Sequence, residues 1–127
     1  MNQKYFEMFG DKKAIAQEFG DRDYGAPKGL TGQAQRILGV LNDSEVLFAY
    51  YDCQDYSGDA TVLYRHKGEL YLQSGGHCSC NGLEGQWDFE SKPVSAAYLR
   101  NRSNPIPKYY SGTEPARKAW DRIVVGL

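Results

Sequence analysis

The sequence predicts an α+β domain, an antiparallel meander of three to four strands packed with flanking helices. Apolar residues recur at helical spacing near both ends of the chain, whereas the middle changes to short β-branched and aromatic runs. The 127 residues, 41% of them hydrophobic, have the size of one domain. We therefore predict a single domain over 1–127, with a helical part at about 1–42, an acidic β-meander at about 44–91 and a basic helical part at about 92–127.

Two helices are predicted before the meander. Asp11 is a candidate N-cap for the first and Gly20 is its stop signal. The second helix is predicted over 31–42, where apolar residues lie on one stripe. After the meander, Ser91 and Pro93 are expected to open a third helix, since proline is favoured in the first turn.

The last helix has the clearest amphipathic pattern in the chain. Thr113 is its predicted cap, and Pro115 lies in its first turn. Its apolar stripe consists of Ala116, Ala119, Trp120, Ile123 and Val124.

The strands of the meander are predicted from short aromatic and β-branched runs. Lys67-Gly68 is a two-residue turn that joins the second and third strands into a hairpin, and Gly75-Gly76 is expected to end the third. The four predicted strands are 45–51, 60–65, 69–73 and, by alternation of apolar and polar residues, 86–90.

Charge is distributed unevenly along the chain. Residues 41–91 hold two basic and nine acidic residues, a net charge of −7, whereas residues 92–127 hold seven basic and two acidic residues, a net charge of +5. The two segments are either self-complementary within the fold or expose an acidic face that attracts basic protein surfaces and repels nucleic acid. We predict a protein partner and no direct nucleic-acid binding.

Localisation is predicted from what the sequence lacks. No apolar run reaches the roughly 18 residues of a membrane span, and the N-terminus has no secretory pattern. Three cysteines are too few for a disulfide framework, which favours a reducing cytoplasm. We expect a cytoplasmic protein without membrane contact, and the sequence leaves its oligomeric state open.

The glycine-rich loop 75–87 admits a metal site. His77, Cys78 and Cys80 are three candidate zinc ligands, with Cys53 or His66 as the fourth. Adjacent ligands diverge in an extended backbone, and no C-x-x-C pair is present. We predict no cofactor, with zinc as the alternative.

The same loop also admits a thiol nucleophile. Cys78 or Cys80 would attack, with His77 or His66 as the base and Glu84 orienting it. In the structural interpretation, the cysteines are small buried plugs and the His77 ring satisfies a backbone carbonyl. We favour the structural interpretation.

A second cluster combines carboxylates with tyrosines. Asp52, Asp55 and Asp59 could hold Ca²⁺ or Mg²⁺, but their spacing is that of a solvated turn. Because neighbours in a strand alternate faces, Tyr50 and Tyr51 cannot both enter one core. The tyrosines either form an exposed, acidic protein-binding face or cover a second core. The candidate binding residues are Tyr50, Asp52, Asp55, Tyr56, Asp59, Glu84 and Trp87.

Three strings of residues, 45–51, 55–60 and 76–87, resemble a family of small uncharacterised phage and prophage proteins. The resemblance covers about 42–100, and the His-Cys-Ser-Cys-x-Gly-Leu-Glu-Gly-Gln-Trp string at 77–87 is its most specific part. The family has no established activity, so the resemblance implies no catalytic roles. It implies a context in which small phage proteins counter host defence or redirect host machinery by binding.

These observations predict a non-enzymatic phage-type binding protein in the host cytoplasm. It would inhibit or redirect a host protein that has a basic, nucleic-acid-handling surface, as an anti-CRISPR-like inhibitor does. Its acidic, tyrosine-rich surface would make the contact. The alternative is a small enzyme or zinc-binding module built on His77, Cys78 and Cys80.

Overall fold

A four-stranded sheet with helices on both faces forms the described part of the chain, an α+β fold. The computed structural model describes residues 5–7, 11–20, 32–52, 58–78, 83, 86–101 and 114–127. In chain order, the elements are β1 (Tyr5–Glu7), α1 (Lys12–Phe19), α2 (Gly32–Asn42), β2 (Ser44–Tyr51), β3 (Gly58–His66), β4 (Glu69–His77), α3 (Ala96–Asn101) and α4 (Glu114–Val125).

Strands β2, β3 and β4 form the predicted antiparallel meander, and neighbours in the sequence are neighbours in the sheet. The turn between β3 and β4 is the predicted one: Lys67 and Gly68 both have positive φ, as the twist of a tight hairpin requires. Strand β4 continues through Gly75 and Gly76 to His77, so the prediction that these glycines end it was wrong. Both pair with β3.

Strand β1 lies inside the segment that was predicted to be helical. It pairs in parallel with β2, and Tyr5 is opposite Phe48. A strand of three residues is too short for a periodic pattern. It forms because the outer side of β2 has backbone groups free to pair with another strand, and this edge exists only once the sheet has assembled.

A β-bulge in β2 directs its side chains to two cores. Val46 pairs with Tyr64 and Phe48 with Leu63, so Leu47 is an extra residue. Leu47 and Phe48 consequently pack on the same face, although they are adjacent. Apolar side chains thus lie on both faces of the sheet, and helices cover each face.

The two cores are separated by the sheet. The α1–α2 core contains Ile15, Ala16, Phe19, Ile37, Leu41, Val46, Ala49, Ala60, Val62, Tyr64, Leu83 and Trp87. The α3–α4 core contains Leu47, Phe48, Tyr50, Leu63, Leu99, Ala116, Ala119, Trp120, Ile123 and Val124.

The predicted ends of α1 are confirmed. The Asp11 carboxylate accepts a hydrogen bond from the Ala14 amide at 2.8 Å, and the Gly20 amide donates to the Ala16 carbonyl at 2.8 Å. A Cβ atom at Gly20 would lie 2.6 Å from Ala34 Cβ, so a glycine lets α1 and α2 approach closely.

The C-terminal helices are confirmed with one change of boundary, while the predicted cap Thr113 lies outside the described residues. All five residues of the predicted α4 stripe are buried. Helix α3 starts at Ala96 rather than near Ser91, because the Val94 amide donates to the Leu70 carbonyl at 2.8 Å and bridges the chain to β4. Among the described helices, none is long and apolar enough to cross a membrane.

Residues 86–90 do not form the predicted fourth strand. They run beside the edge strand β4 as irregular chain at 86–88 and a turn at 89–90, and are held there by side chains. The Gln73 amide side chain donates to the Asp88 carbonyl and accepts from the Asp88 amide, both at 2.9 Å. Gln86 does the converse: its side chain accepts from the Gly76 amide at 2.9 Å and donates to the Gly76 carbonyl at 2.7 Å.

Candidate functional site

The predicted site residues that the structure describes meet mainly at one end of the sheet. Strand β2 ends there, β3 begins there, and β4 ends opposite, with Gly58 paired to His77. We call Asp52, Asp59 and His77 the carboxylate end. The Asp52 amide donates to the Asp59 carbonyl at 3.0 Å, which joins β2 to β3 beyond their last paired residues.

The Asp52 carboxylate is buried and satisfied. It is 7% exposed and accepts hydrogen bonds from the Tyr50 hydroxyl and from the Asp59 amide, the latter at 2.9 Å. A Cβ atom at Gly58 would lie 2.1 Å from the Asp52 carbonyl oxygen and 2.2 Å from its Oδ1. Only glycine leaves room for this arrangement, which makes Asp52 a structural carboxylate.

His77 is held by Asp52 and Tyr51. Its Nε2 donates a hydrogen bond to the Asp52 carbonyl, and its ring stacks on Tyr51 with centroids 4.6 Å apart and planes 3° from parallel. The expectation that the His77 ring satisfies a backbone carbonyl is confirmed. The next residue, Cys78, is exposed, so the expectation of a buried plug is wrong for this cysteine.

Asp59 is the carboxyl group at this end whose ionisation the surroundings perturb. Partial burial raises the pKa of Asp59 above its ordinary value, the nearby Asp52 carboxylate raises it further, and His77 opposes both effects. Unlike Asp52, Asp59 is only half-buried. Asp59 and His77 are therefore the partly exposed polar side chains of the carboxylate end.

The structure corrects the expected exposure of three candidate binding residues. Tyr50 is 2% exposed and lies in the α3–α4 core, and Trp87 is 5% exposed and lies in the α1–α2 core. Asp52 is enclosed as described above. The physical reason is that helices cover both faces of the sheet, so the tyrosines of β2 and β3 belong to cores. Asp55, Tyr56 and Glu84 lie outside the described residues.

The metal and nucleophile hypotheses retain two described members, His77 and Cys78. Cys53 and Cys80 lie outside the described residues. Within the described ranges, no group of three or more His, Cys, Asp or Glu side chains could hold a metal ion. His66 is wrong as a fourth ligand or base, since it ends β3 about 25 Å from Gly58, the partner of His77. Its Nδ1 forms a hydrogen bond with the Ser44 hydroxyl at 2.8 Å.

Sequence reasoning missed the two glutamines, Gln73 and Gln86, that fasten residues 86–91 to β4. Gln73 is 2% exposed, and a buried amide inside an apolar strand is a signal of a specific partner. It also missed the contact between His77 and Asp52. Counting back from the two-residue turn at Lys67-Gly68 pairs His77 with Gly58, so the hairpin register contained that signal.

Exposed carboxylates concentrate at the opposite end of the sheet. Asp43 immediately precedes Ser44, the first residue of β2. Ser44 is paired with His66 of β3, and His66 is paired with Glu69 of β4, so Asp43 and Glu69 lie at the same end of the sheet. Asp88 lies beside this end, near His66 and Tyr71. We call the four exposed acids Asp43, Glu69, Asp88 and Glu90 the acidic rim.

The acidic rim is not neutralised by the basic C-terminal segment in the described part of the chain. Arg65 pairs with Glu45 at 3.2 Å, within the acidic segment. Glu114 pairs with Arg117 at 2.8 Å and with Lys118 at 3.7 Å, within α4. No ion pair between described residues joins the two segments, and none involves the rim.

Comparisons with known proteins add no assignment to this geometry. No protein-family model, no curated protein and no solved structure matches the chain.

Proposed function

We propose that this chain is a non-enzymatic binding protein of the phage type, which inhibits or redirects a host protein as an anti-defence factor. The contact is made by the acidic rim rather than by a sheet face, because both faces are covered. The partner offers a basic surface of the kind that handles nucleic acid. The observation that carries this proposal is that the four rim carboxylates form no ion pair with any described residue.

Charge supports a protein partner over nucleic acid. The segment 41–91 has a net charge of −7, and exposed like charges repel a phosphate backbone. A basic protein surface gains attraction and a faster encounter from the same field. Such a surface on a nuclease or nucleic-acid-binding protein would be blocked by the acidic rim, which is how binding becomes inhibition.

The contacts of His77 give it a structural role at the end of the sheet. Its Nε2 donates to the Asp52 carbonyl and its ring is stacked on Tyr51, so the end of β4 is held against the end of β2. The alternative, a small enzyme or zinc module, draws support from the exposure of Cys78. Intact-mass and metal analysis of the purified protein distinguishes these functions, since a stoichiometric zinc content would favour the alternative.

The test of the proposal is quantitative capture from a bacterial lysate. Immobilised wild-type protein is compared with Asp43→Asn/Glu69→Gln, which removes two rim charges and keeps side-chain size. The matched control is Glu114→Gln/Asp121→Asn, which removes two exposed acids from α4.

We expect a captured protein that is retained at about 50 mM salt and lost at about 300 mM, because exposed charges are screened. The rim variant should retain several-fold less of it, and the α4 control should retain the wild-type amount. The proposal is overturned if nothing is retained at low salt, or if the two variants behave alike.

A further inference from the structure

A cavity of about 200 Å³ lies between α2, the β3–β4 hairpin and residues 87–91. It is on the α1–α2 side of the sheet, at the end opposite the carboxylate end. The five rings that line it belong to Tyr64, His66, Tyr71, Trp87 and Phe89. The sequence analysis did not predict this cavity, although it named two of the lining residues: Trp87 as a binding residue and His66 as a zinc ligand or base.

The aromatic lining is fixed by contacts among its own rings. Tyr64 stacks on Tyr71 with centroids 5.5 Å apart and planes 15° from parallel, and on Trp87 at 5.5 Å and 19°. His66 meets Tyr71 at 6.3 Å with planes 68° apart. Such packing holds the rings in place without a ligand, so binding costs little side-chain ordering.

The polar lining is equally fixed. The Gln73 side chain donates to the Asp88 carbonyl at 2.9 Å and to the Ser91 hydroxyl at 3.3 Å. The Asp88 carboxylate accepts from the Glu90 amide at 2.9 Å and is exposed at the cavity. One carboxylate therefore stands beside a group of rings whose positions are set by the fold.

The charge of the lining selects the class of ligand. Asp88 is its acidic residue, and none of the lining residues is a lysine or arginine, which disfavours phosphates and other anions. Arg36 lies outside the lining, with its guanidinium carbon 4.0 Å from the centroid of the Phe89 ring. One ring of this cluster thus already makes a cation–π contact.

We infer that the cavity binds an alkylated ammonium group, with Tyr71 and Trp87, the outer rings of the stack, supplying cation–π contacts and Asp88 supplying the opposite charge. Aromatic faces attract cations, and the attraction is strongest for weakly hydrated ones such as quaternary ammonium. Two sources share this chemistry: a methylated lysine of a protein partner, and a small choline-like molecule. This site shares Asp88 with the acidic rim, but ligand binding in the cavity does not depend on docking of a protein at the rim.

The two tryptophans of the chain make the test specific. Trp87 lines the cavity, whereas Trp120 lies in the α3–α4 core with its ring 5.2 Å from Phe48. Tetramethylammonium chloride is titrated into ¹⁵N-labelled full-length protein, with sodium chloride at equal ionic strength as reference. We expect the indole signal of Trp87 to shift saturably at millimolar concentrations and that of Trp120 to stay in place.

A comparison of choline with its uncharged isostere 3,3-dimethylbutan-1-ol separates the effect of the ligand's charge on affinity from the effect of its shape. Choline should bind at least about fivefold more tightly, as expected for a cation on aromatic faces. Equal binding of the two, or no saturable shift of Trp87, overturns the inference. A trimethyl-lysine peptide that binds more tightly than choline assigns the site to a protein ligand, and the reverse order assigns it to a small molecule.

The variants Asp88→Asn and Asp121→Asn form a matched pair. Asparagine at 88 keeps an acceptor for the Glu90 amide, so the loop is retained while the negative charge of this lining residue is removed. Asp121 is an exposed acid of α4, which packs on the opposite face of the sheet, and it lies outside the lining and outside the acidic rim. We expect Asp88→Asn to weaken tetramethylammonium binding several-fold and Asp121→Asn to change it by less than about twofold, because the effect of a charge falls with distance and screening. Equal effects of the two variants contradict the inference.

Discussion

At the scale of single residues, the carboxylate end shows how a side chain satisfies a hydrogen-bonding group of the backbone. Asp52 follows the last residue of β2, and its carboxylate accepts the Asp59 amide. Glycine at position 58 is required because a Cβ atom would collide with Asp52. The same arrangement disfavours the ionised form of Asp59, because its carboxyl group is partly removed from water and lies close to the Asp52 carboxylate.

Asp59→Asn is expected to stabilise the protein at neutral pH. Because the pKa of Asp59 is raised in the folded state, the folded state favours the protonated carboxyl group. That favourable contribution is complete below the ordinary pKa of 3.8 and is lost as pH rises through the folded pKa. At pH 7 the ionised group destabilises the fold, by less than about 1 kcal/mol because solvent screens it.

Urea unfolding of wild type and Asp59→Asn at pH 7 and at pH 3.5 measures this difference. The stability advantage of Asn should be present at pH 7 and should shrink at the lower pH. Glu90→Gln controls for the loss of one exposed charge. An advantage that is independent of pH would show that Asp59 acts through another interaction.

At the scale of elements, amide side chains replace a strand. The alternating pattern of 86–90 predicted a fourth strand, but Gln73 and Gln86 make the hydrogen bonds to backbone that a strand ladder would make. Periodicity reports which side chains are apolar, and it does not report which groups pair with the backbone. Trp87 nevertheless enters the core, as its place in the pattern suggests.

Gln73→Leu should destabilise the protein by about 2–3 kcal/mol, because the Asp88 amide and carbonyl lose their partners. Urea unfolding measures the free energy, and hydrogen exchange of the Asp88 amide should become faster. The neighbouring Ser74→Ala, at an exposed position of the same strand, should change stability by no more than about 0.5 kcal/mol. Similar losses for both variants would mean that Gln73 does not fasten the segment.

The sequence predicted most elements, since caps, turns and periodicity are local. Helix α1 with its Asp11 cap, the hairpin turn at Lys67-Gly68 and the α4 stripe were each read from neighbouring residues. Two features depend on distant strands instead: β1, which exists as an added strand on β2, and the bulge at Leu47. No local pattern could predict either.

At the scale of the whole molecule, one sheet supports two cores, and this determines where binding can occur. The sequence left open whether the tyrosines formed an exposed face or a second core. In the structure, α4 lies over one face, and Phe48 packs edge-on against Trp120 at 5.2 Å. Tyr50 and Tyr64 are buried on opposite faces. Within the described part of the sheet, its two ends and the cavity beside Asp88 are left uncovered by the helices.

Ile123→Ala should destabilise the whole described fold, because the two cores share the sheet. Ile123 is 5% exposed, and truncating such a residue costs about 2–4 kcal/mol. Val125→Ala on the same helix is the matched control: Val125 is 74% exposed, and the change should stay within about 0.5 kcal/mol.

Circular dichroism and tryptophan fluorescence should give the same lowered unfolding midpoint for Ile123→Ala, as cooperative unfolding requires. In the double variant Ile123→Ala/Trp120→Phe, Trp87 is the remaining tryptophan, and its fluorescence reports on the α1–α2 core. If the Trp87 signal kept the wild-type midpoint, the two cores would be energetically independent.

The sequence by itself determined the α+β class, the meander and its turn, the amphipathic helices and the uneven charge. Each of these depends on residues that are neighbours along the chain. The tertiary structure decided which carboxylates are buried, which aromatic rings meet in a cavity, and that helices cover both faces of the sheet. Burial and convergence depend on contacts between residues far apart in the chain, and local periodicity carries no information about those contacts.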